Sequence, residues 1–203
     1  RLAEMIDIVP ENHSGAYISY FNLAKSGFEE PMTTHSDHYE SNYGYSSAAY
    51  SKGEVFLEQL GYIVGADVRD KILLEYYKQW RFKHPNATDF MRVAEQVSGI
   101  QLDWYKEYWV NTTKTIDYRI DSLWEESGIT KIRLRRTGKL PMPVDLQLTF
   151  KDGSTEMFYV PLNLMFGNKP NENLAQKREL LEEWRWTHPA YVVETKHKLT
   201  DIK

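Results

Sequence analysis

The feature that most constrains this 203-residue chain is a change of hydrophobic period across the polar segment Asn111–Thr115, "NTTKT". Before it, apolar residues recur at spacings of three and four. After it, they alternate. A helix repeats its face about every 3.6 residues and a strand every two, so the two patterns demand two kinds of element. The chain therefore joins a helical half, residues 1–112, to a β-rich half, residues 116–203. The expected class is α+β, with the second half a small antiparallel β-sandwich.

Within the helical half, Phe56, Leu60, Ile63 and Val64 mark one helix, and Gly65 stands where a left-handed cap belongs. Ile72, Leu73, Tyr76 and Trp80 give the stripe of a second, over about Asp67–Phe82. "KHPNATD" interrupts it through Pro85 and Asn86. Thr88 is the expected N-cap of a third helix, with Asp89 in its first turn. Phe90, Val93, Ala94 and Val97 follow, and Gly99 stops it. Leu102, Tyr105, Tyr108 and Trp109 form a fourth, aromatic stripe. Residues 1–8 and 14–25 are further helix candidates. Ser26–Ser47 reads as a long loop, and long loops in compact domains often carry function.

In the second half, Ile116, Tyr118 and Ile120 alternate as a half-buried strand requires, and so do Ile132 and Leu134 beyond the turn "ESG". Val144, Leu146, Leu148 and Phe150 form a third strand. Asp152-Gly153 signals a two-residue hairpin returning through Met157 and Tyr159, or through Phe158 and Val160. Ala175–Trp184 is expected as a short helix and Tyr191–Thr195 as a last strand.

Bulk properties narrow the function classes. Net charge is −4, which is no footprint for nucleic acid. No apolar run approaches the roughly 20 residues of a membrane span. Without cysteine, disulfides, thiol nucleophiles and cysteine-based zinc sites are excluded. The 41 % hydrophobic content and the aromatic load argue for a packed core. Asn12, Asn86 and Asn111 open Asn-X-Ser/Thr triplets, which matter only in a glycosylating host.

Among the six histidines none is followed by Glu, so no His-Glu-x-x-His is present. His35 and His38, with Asp37 and Glu40, crowd potential ligands into six loop residues; that fits loop hydrogen bonding better than zinc spacing. Glu29-Glu30 before Pro31 either starts a turn or reaches a substrate amine, and solvated charge is the simpler reading. Trp184, Trp186 and Tyr191 suit sugar stacking, or core and inter-domain packing. Tyr50 stands apart. Its small neighbours Ala48, Ala49 and Ser51 leave its ring accessible at a loop-to-helix junction. Lys52 then opposes the dipole of the first turn by a few tenths of a kcal/mol. Gly53 costs up to about 1 kcal/mol inside a helix. Local rules broken together often mark functional sites.

"YSKG", Tyr50–Gly53, followed by an apolar helix, resembles the Tyr-x-Lys-Gly segment of the aminopeptidase N-like zinc metallopeptidases, the gluzincin aminopeptidases. "TTHSDH" lies about fifteen residues earlier, where that family has a Ser-Ser-His-Pro-like segment. Asp89, Phe90, Ser98, Gly99, Leu102, Trp104 and Trp109 match a further family segment in order. The resemblance covers roughly residues 20–112, and the β-rich tail looks like the C-terminal portion of bacterial members.

The resemblance implies a thermolysin-like catalytic domain, of which the helical half is the C-terminal part. In the family, zinc is held by His-Glu-x-x-His and a second Glu, all upstream of the tyrosine. Residues 1–49 supply none of these, so the chain is expected to be a C-terminal portion lacking its metal ligands. Zinc then belongs to the parent enzyme and none is expected in this chain. A peptide is the parent's substrate, and the chain packs against missing N-terminal peptidase domains. Relatives suggest an exported or periplasmic location. A zinc-bound water attacks the scissile carbonyl in such enzymes. By resemblance Tyr50 is the hydroxyl that donates to the resulting oxyanion. Glu29, Glu30 and His35 are secondary candidates for substrate binding. The alternative left open is a non-catalytic peptide- or glycan-binding module, or a pseudo-enzyme, using Trp184, Trp186 and the Ser26–Ser47 loop.

Overall fold

A computed structural model describes residues 12–171 and 177–198; the helix expected at 1–8 lies outside them. The class is α+β, with helices first and sheets second. The helices are α1 (Ser14–Ser26), α2 (Asn42–Ser46), α3 (Gly53–Val64), α4 (Ala66–Trp80), α5 (Ala87–Ser98) and α6 (Asp103–Val110). None among the described residues is long and apolar enough to cross a membrane.

The expected helix start at Tyr50–Gly53 is wrong in an informative way. Ser41 caps α2 by accepting from the Gly44 N–H at 3.0 Å. A π-helix, Ser47–Lys52, then runs from α2 into α3 without a break. Lys52 and Gly53 are therefore interior to one long helical run, and no helix terminus lies there for Lys52 to oppose. Gly44 is the residue this entry needs. A Cβ there would sit 2.9 Å from the Phe28 carbonyl oxygen.

Two other boundaries move. α5 is capped by Asn86, not Thr88. The Asn86 carboxamide accepts from the Thr88 and Asp89 N–H groups, and Asp89 returns a bond to the Asn86 N–H at 2.9 Å, a reciprocal capping box. Gly99 ends α5 at φ 70°, as expected. Gly65 has φ 93° but an extended ψ of 145°, so it turns α3 directly into α4 instead of closing a left-handed cap.

The helical core is aromatic. Phe56 stacks on Tyr105 at 5.0 Å, Trp109 packs edge-on to Phe56, and the Tyr105 hydroxyl donates to the Phe56 carbonyl at 2.6 Å. Leu140, Met142, Leu162 and Met165, from beyond the expected boundary, are buried in this same core.

Strands β1 (Tyr118–Glu126), β2 (Ile129–Arg136) and β6 (Ala190–Thr195) form one antiparallel sheet in the order β1-β2-β6. Ser127 and Gly128, at φ 53° and 78°, make the tight β1–β2 turn. β3 (Val144–Thr149), β4 (Thr155–Val160) and β5 (Arg178–Leu180) form the second sheet, and β4 pairs with β5 in parallel. Ile132, Leu134 and Val193 of the first sheet share a core with Leu146, Leu148, Phe158 and Val160 of the second. The sandwich is thus small, as expected, but not wholly antiparallel.

Three strand-level expectations fail locally. Arg178–Leu180 is a strand where a helix was expected, and Trp184 forms an isolated parallel bridge with Leu162; residues 175 and 176 lie outside the description. The β3–β4 loop spans three residues, because the Phe150 N–H bonds the Ser154 carbonyl around Gly153 at φ 86°. A register shift between Ile120 and Ser122 breaks the alternation of β1, and Ile116 and Ile120 are exposed instead of half-buried.

Candidate functional site

Tyr50 projects from the π-helix with 69 % of its surface exposed. A π-turn inserts a residue into the helical register and re-aims the side chains around it, and such turns concentrate at functional sites. Here Ser47, Ala48 and Lys52 turn inward while Ala49 and Tyr50 face out. Among the described residues the Tyr50 hydroxyl makes no hydrogen bond. Its ring meets Tyr45 edge-on at 6.5 Å, and Tyr45 meets Tyr39 at 5.4 Å. The Tyr39 hydroxyl donates to the Pro31 carbonyl at 3.0 Å, which ties this row of rings to the loop after α1. Partial burial, with help from Glu30 and Tyr45, raises the Tyr39 pKa.

Beside Tyr50 opens an apolar groove of about 740 Å³. Met32, Ala49, Leu57, Tyr76, Phe90 and Val110 supply much of its wall. Glu54 stands at its edge, engaged with His13 Nδ1 at 2.6 Å. Such a groove accepts an apolar side chain, and the free hydroxyl beside it offers one donor.

The inward side of the same helical turn carries a charge. Lys52 is fully buried, and its Nζ donates to Glu29 Oε1 at 2.7 Å and to the Thr112 carbonyl at 3.0 Å. The Glu29 side chain is only 6 % exposed. Desolvation lowers the Lys52 pKa, and the hydrogen bond and charge of Glu29 oppose that shift. Glu29 is therefore not the solvated acid that the sequence reading favours. It is committed to Lys52.

The other candidates are dispersed. Glu30 accepts from the Glu40 N–H at 3.0 Å and so closes the loop on itself. His35 is exposed, caps a short 3₁₀ turn by accepting from the Asp37 N–H at 3.3 Å, and packs against the His38 ring. No group of three or more His, Asp or Glu side chains able to hold a metal occurs among the described residues. A zinc ion therefore finds no fitting set of ligands in them.

The tryptophans are spent on packing. Trp184 is buried in the sandwich core and donates to the His188 carbonyl at 2.9 Å. Trp186 donates to the Tyr108 hydroxyl at 3.2 Å and carries the Arg136 guanidinium 3.6 Å from its ring centroid. Both fit the packing reading of these residues.

Sequence reasoning missed Lys52 as part of this region's architecture. Its partners are 23 and 60 residues away in the chain, and no local signal reports them. No family model and no curated protein matches the chain.

Proposed function

We propose that the chain is the C-terminal portion of a zinc-dependent aminopeptidase, in which Tyr50 stabilises the transition state of peptide hydrolysis. The observation that carries this reading is the placement of Tyr50. A large side chain stands in solvent with an uncommitted hydroxyl, on a π-turn, next to an apolar groove. A tyrosine hydroxyl can donate a hydrogen bond to a carbonyl oxygen as negative charge builds there. The groove would receive an apolar part of the peptide. Metal ligands would come from sequence outside the described residues. Exposed Ile18, Phe21, Phe28 and Phe82 are then surfaces available to the remaining peptidase domains.

The test uses a longer protein carrying this chain behind an upstream His-Glu-x-x-His. There Tyr50→Phe should lower turnover of aminoacyl-anilides by about 10²–10³, the usual cost of one oxyanion donor, with zinc content unchanged. Near-normal turnover sinks the role of Tyr50. Stoichiometric zinc or zinc-dependent turnover in the 203-residue chain sinks the reading of it as a portion without metal ligands. The alternative binding module draws less support, since Trp184 and Trp186 are occupied within the fold.

A further inference from the structure

Lys52 is the only charged residue in the buried set among the described residues. It sits two positions after Tyr50, on the inward side of the same π-turn. One ammonium gathers three separate segments. It holds Glu29 from the stretch after α1, the Thr112 carbonyl from the stretch after α6, and the turn to which it belongs. The Tyr20 ring of α1 lies 5.9 Å away.

Filling this space does not require a charge. Well-packed apolar residues replace buried ion pairs with little loss, so the stability of the fold alone does not explain the pair. An ammonium donating along two fixed directions does something an apolar side chain does not, which is to set the rotation of the turn about its axis. The π-turn is a rare, single-turn departure from the α-helix on either side of it, and the Lys52 bonds tie it to two other segments.

We propose that the Lys52–Glu29 pair is a positioning device that fixes the π-turn so that Tyr50 projects beside the apolar groove. Neither residue touches substrate; both act through Tyr50. The catalytic side of this inference rests on the reading of Tyr50 as an oxyanion donor.

The test has two arms. In the 203-residue chain, the paired replacement Lys52→Met with Glu29→Leu removes both charges together and keeps an apolar filling. Amide hydrogen exchange across residues 47–53 should rise about 10-fold or more, with α4 and α5 unchanged, because the loss is a local opening. Unchanged exchange in that segment overturns the proposal. Glu29→Gln, which keeps a side-chain acceptor, guards against failure of the paired variant to fold, and should give a smaller rise in the same segment. A rise spread evenly over all helices marks a merely structural role and also overturns it.

In the longer zinc-carrying protein, the paired variant should lower kcat by about 10²-fold with little change in KM, since a misplacement near 1 Å has that cost. In a Tyr50→Phe background it should have no further effect on kcat. Full turnover in the paired variant, where Tyr50→Phe alone is crippled, overturns the positioning role and leaves the proposed function standing. Normal turnover in Tyr50→Phe overturns the proposed function and the catalytic side of the pair together.

Discussion

Tyr62 tests whether the two halves are one cooperative unit. It lies on α3 in the helical half. Its hydroxyl donates to the Pro143 carbonyl at 3.3 Å and accepts from the Asp145 N–H at 3.1 Å, both at the entrance to β3. Lys169 Nζ sits 4.0 Å from the ring centroid and pairs with Asp145 at 2.9 Å. Tyr62→Phe keeps the ring and its packing but strips the Asp145 N–H of an acceptor. Leaving one buried donor unsatisfied costs about 1–3 kcal/mol. The longer bond to Pro143 adds little, so we take about 2 kcal/mol. In a chain of this length each kcal/mol moves Tm by about 2–4 °C, which gives a fall of about 4–8 °C. The helical core also takes in Leu140, Met142, Leu162 and Met165. Residues 12–112 alone would leave that surface bare and should not fold. Thermal unfolding followed by near-ultraviolet circular dichroism, which reports the tryptophans, and by a sheet-sensitive infrared band should show one coincident transition. Tyr62→Phe should shift both signals together. Two separated transitions, a shift in only one of them, or a cooperatively folded 12–112 fragment would refute the reasoning.

Three further outcomes follow from single features. Asn86→Ala should cost about 1 kcal/mol in urea unfolding because it removes the cap of α5, while Thr88→Ala should stay within about 0.5 kcal/mol; the reverse order would restore the cap expected from sequence. Burial lifts the pKa of Tyr118 and of Tyr159 to about 12, above an unfolded value near 10. The folded state then keeps protons that the unfolded state releases, so this stability is complete below pH about 10 and is lost as pH rises through about 12. The lowered pKa of Lys52 acts in the opposite sense, but Tyr20, Tyr62 and Tyr105 are also shifted upward by burial and side with the tyrosines. The urea midpoint should therefore fall between pH about 10 and 12, less steeply in Tyr118→Phe, and a flat midpoint would contradict the sign. Finally, Tyr50→Phe in the 203-residue chain should leave Tm unchanged within about 2 °C, because an exposed ring with a free hydroxyl contributes little to stability. A large fall would mean that Tyr50 is structural.

Elements with strong period were readable from sequence because burial imposes the pattern directly. Phe56, Leu60, Ile63 and Val64 are buried on α3, and Ile132 and Leu134 are buried on β2. Some of the failures have a different cause, a partner distant in sequence, while the α5 cap at Asn86 and the β3–β4 loop are local. Arg178–Leu180 becomes a strand only because β4 offers an edge, with Met157, Phe158 and Tyr159 as its register partners. Ile120 would face a core if the second sheet extended beneath β1, but its opposite residue Leu134 is buried and Ile120 is 55 % exposed. The division at Asn111–Thr115 marks a true change of element type. It does not mark a boundary between cores, since Leu140 and Met165 return to the helices.

The same limit explains what was legible at Tyr50. Its accessibility followed from small neighbours, a local property, and the exposed ring agrees. The oddness of Lys52 was also visible locally, but its cause was not. A lysine that breaks a helix-start rule is tolerable when no helix starts there, and the true start is capped by Ser41, eleven positions earlier in the chain. That start lies inside the stretch Ser26–Ser47, which its lack of apolar periodicity marks as a loop. Once the run is seen as continuous, the two residues flanking Ser51 divide the labour. Tyr50 faces out with a free donor, and Lys52 faces in with its donors bound. Both residues belong to the one π-turn, Tyr50 on its exposed side and Lys52 on its buried side, so their orientations are geometrically linked. Any rotation of the turn that buries the tyrosine must also pull the ammonium away from Glu29. That linkage makes a buried charge, poor at adding stability, well suited to hold an exposed hydroxyl in one direction.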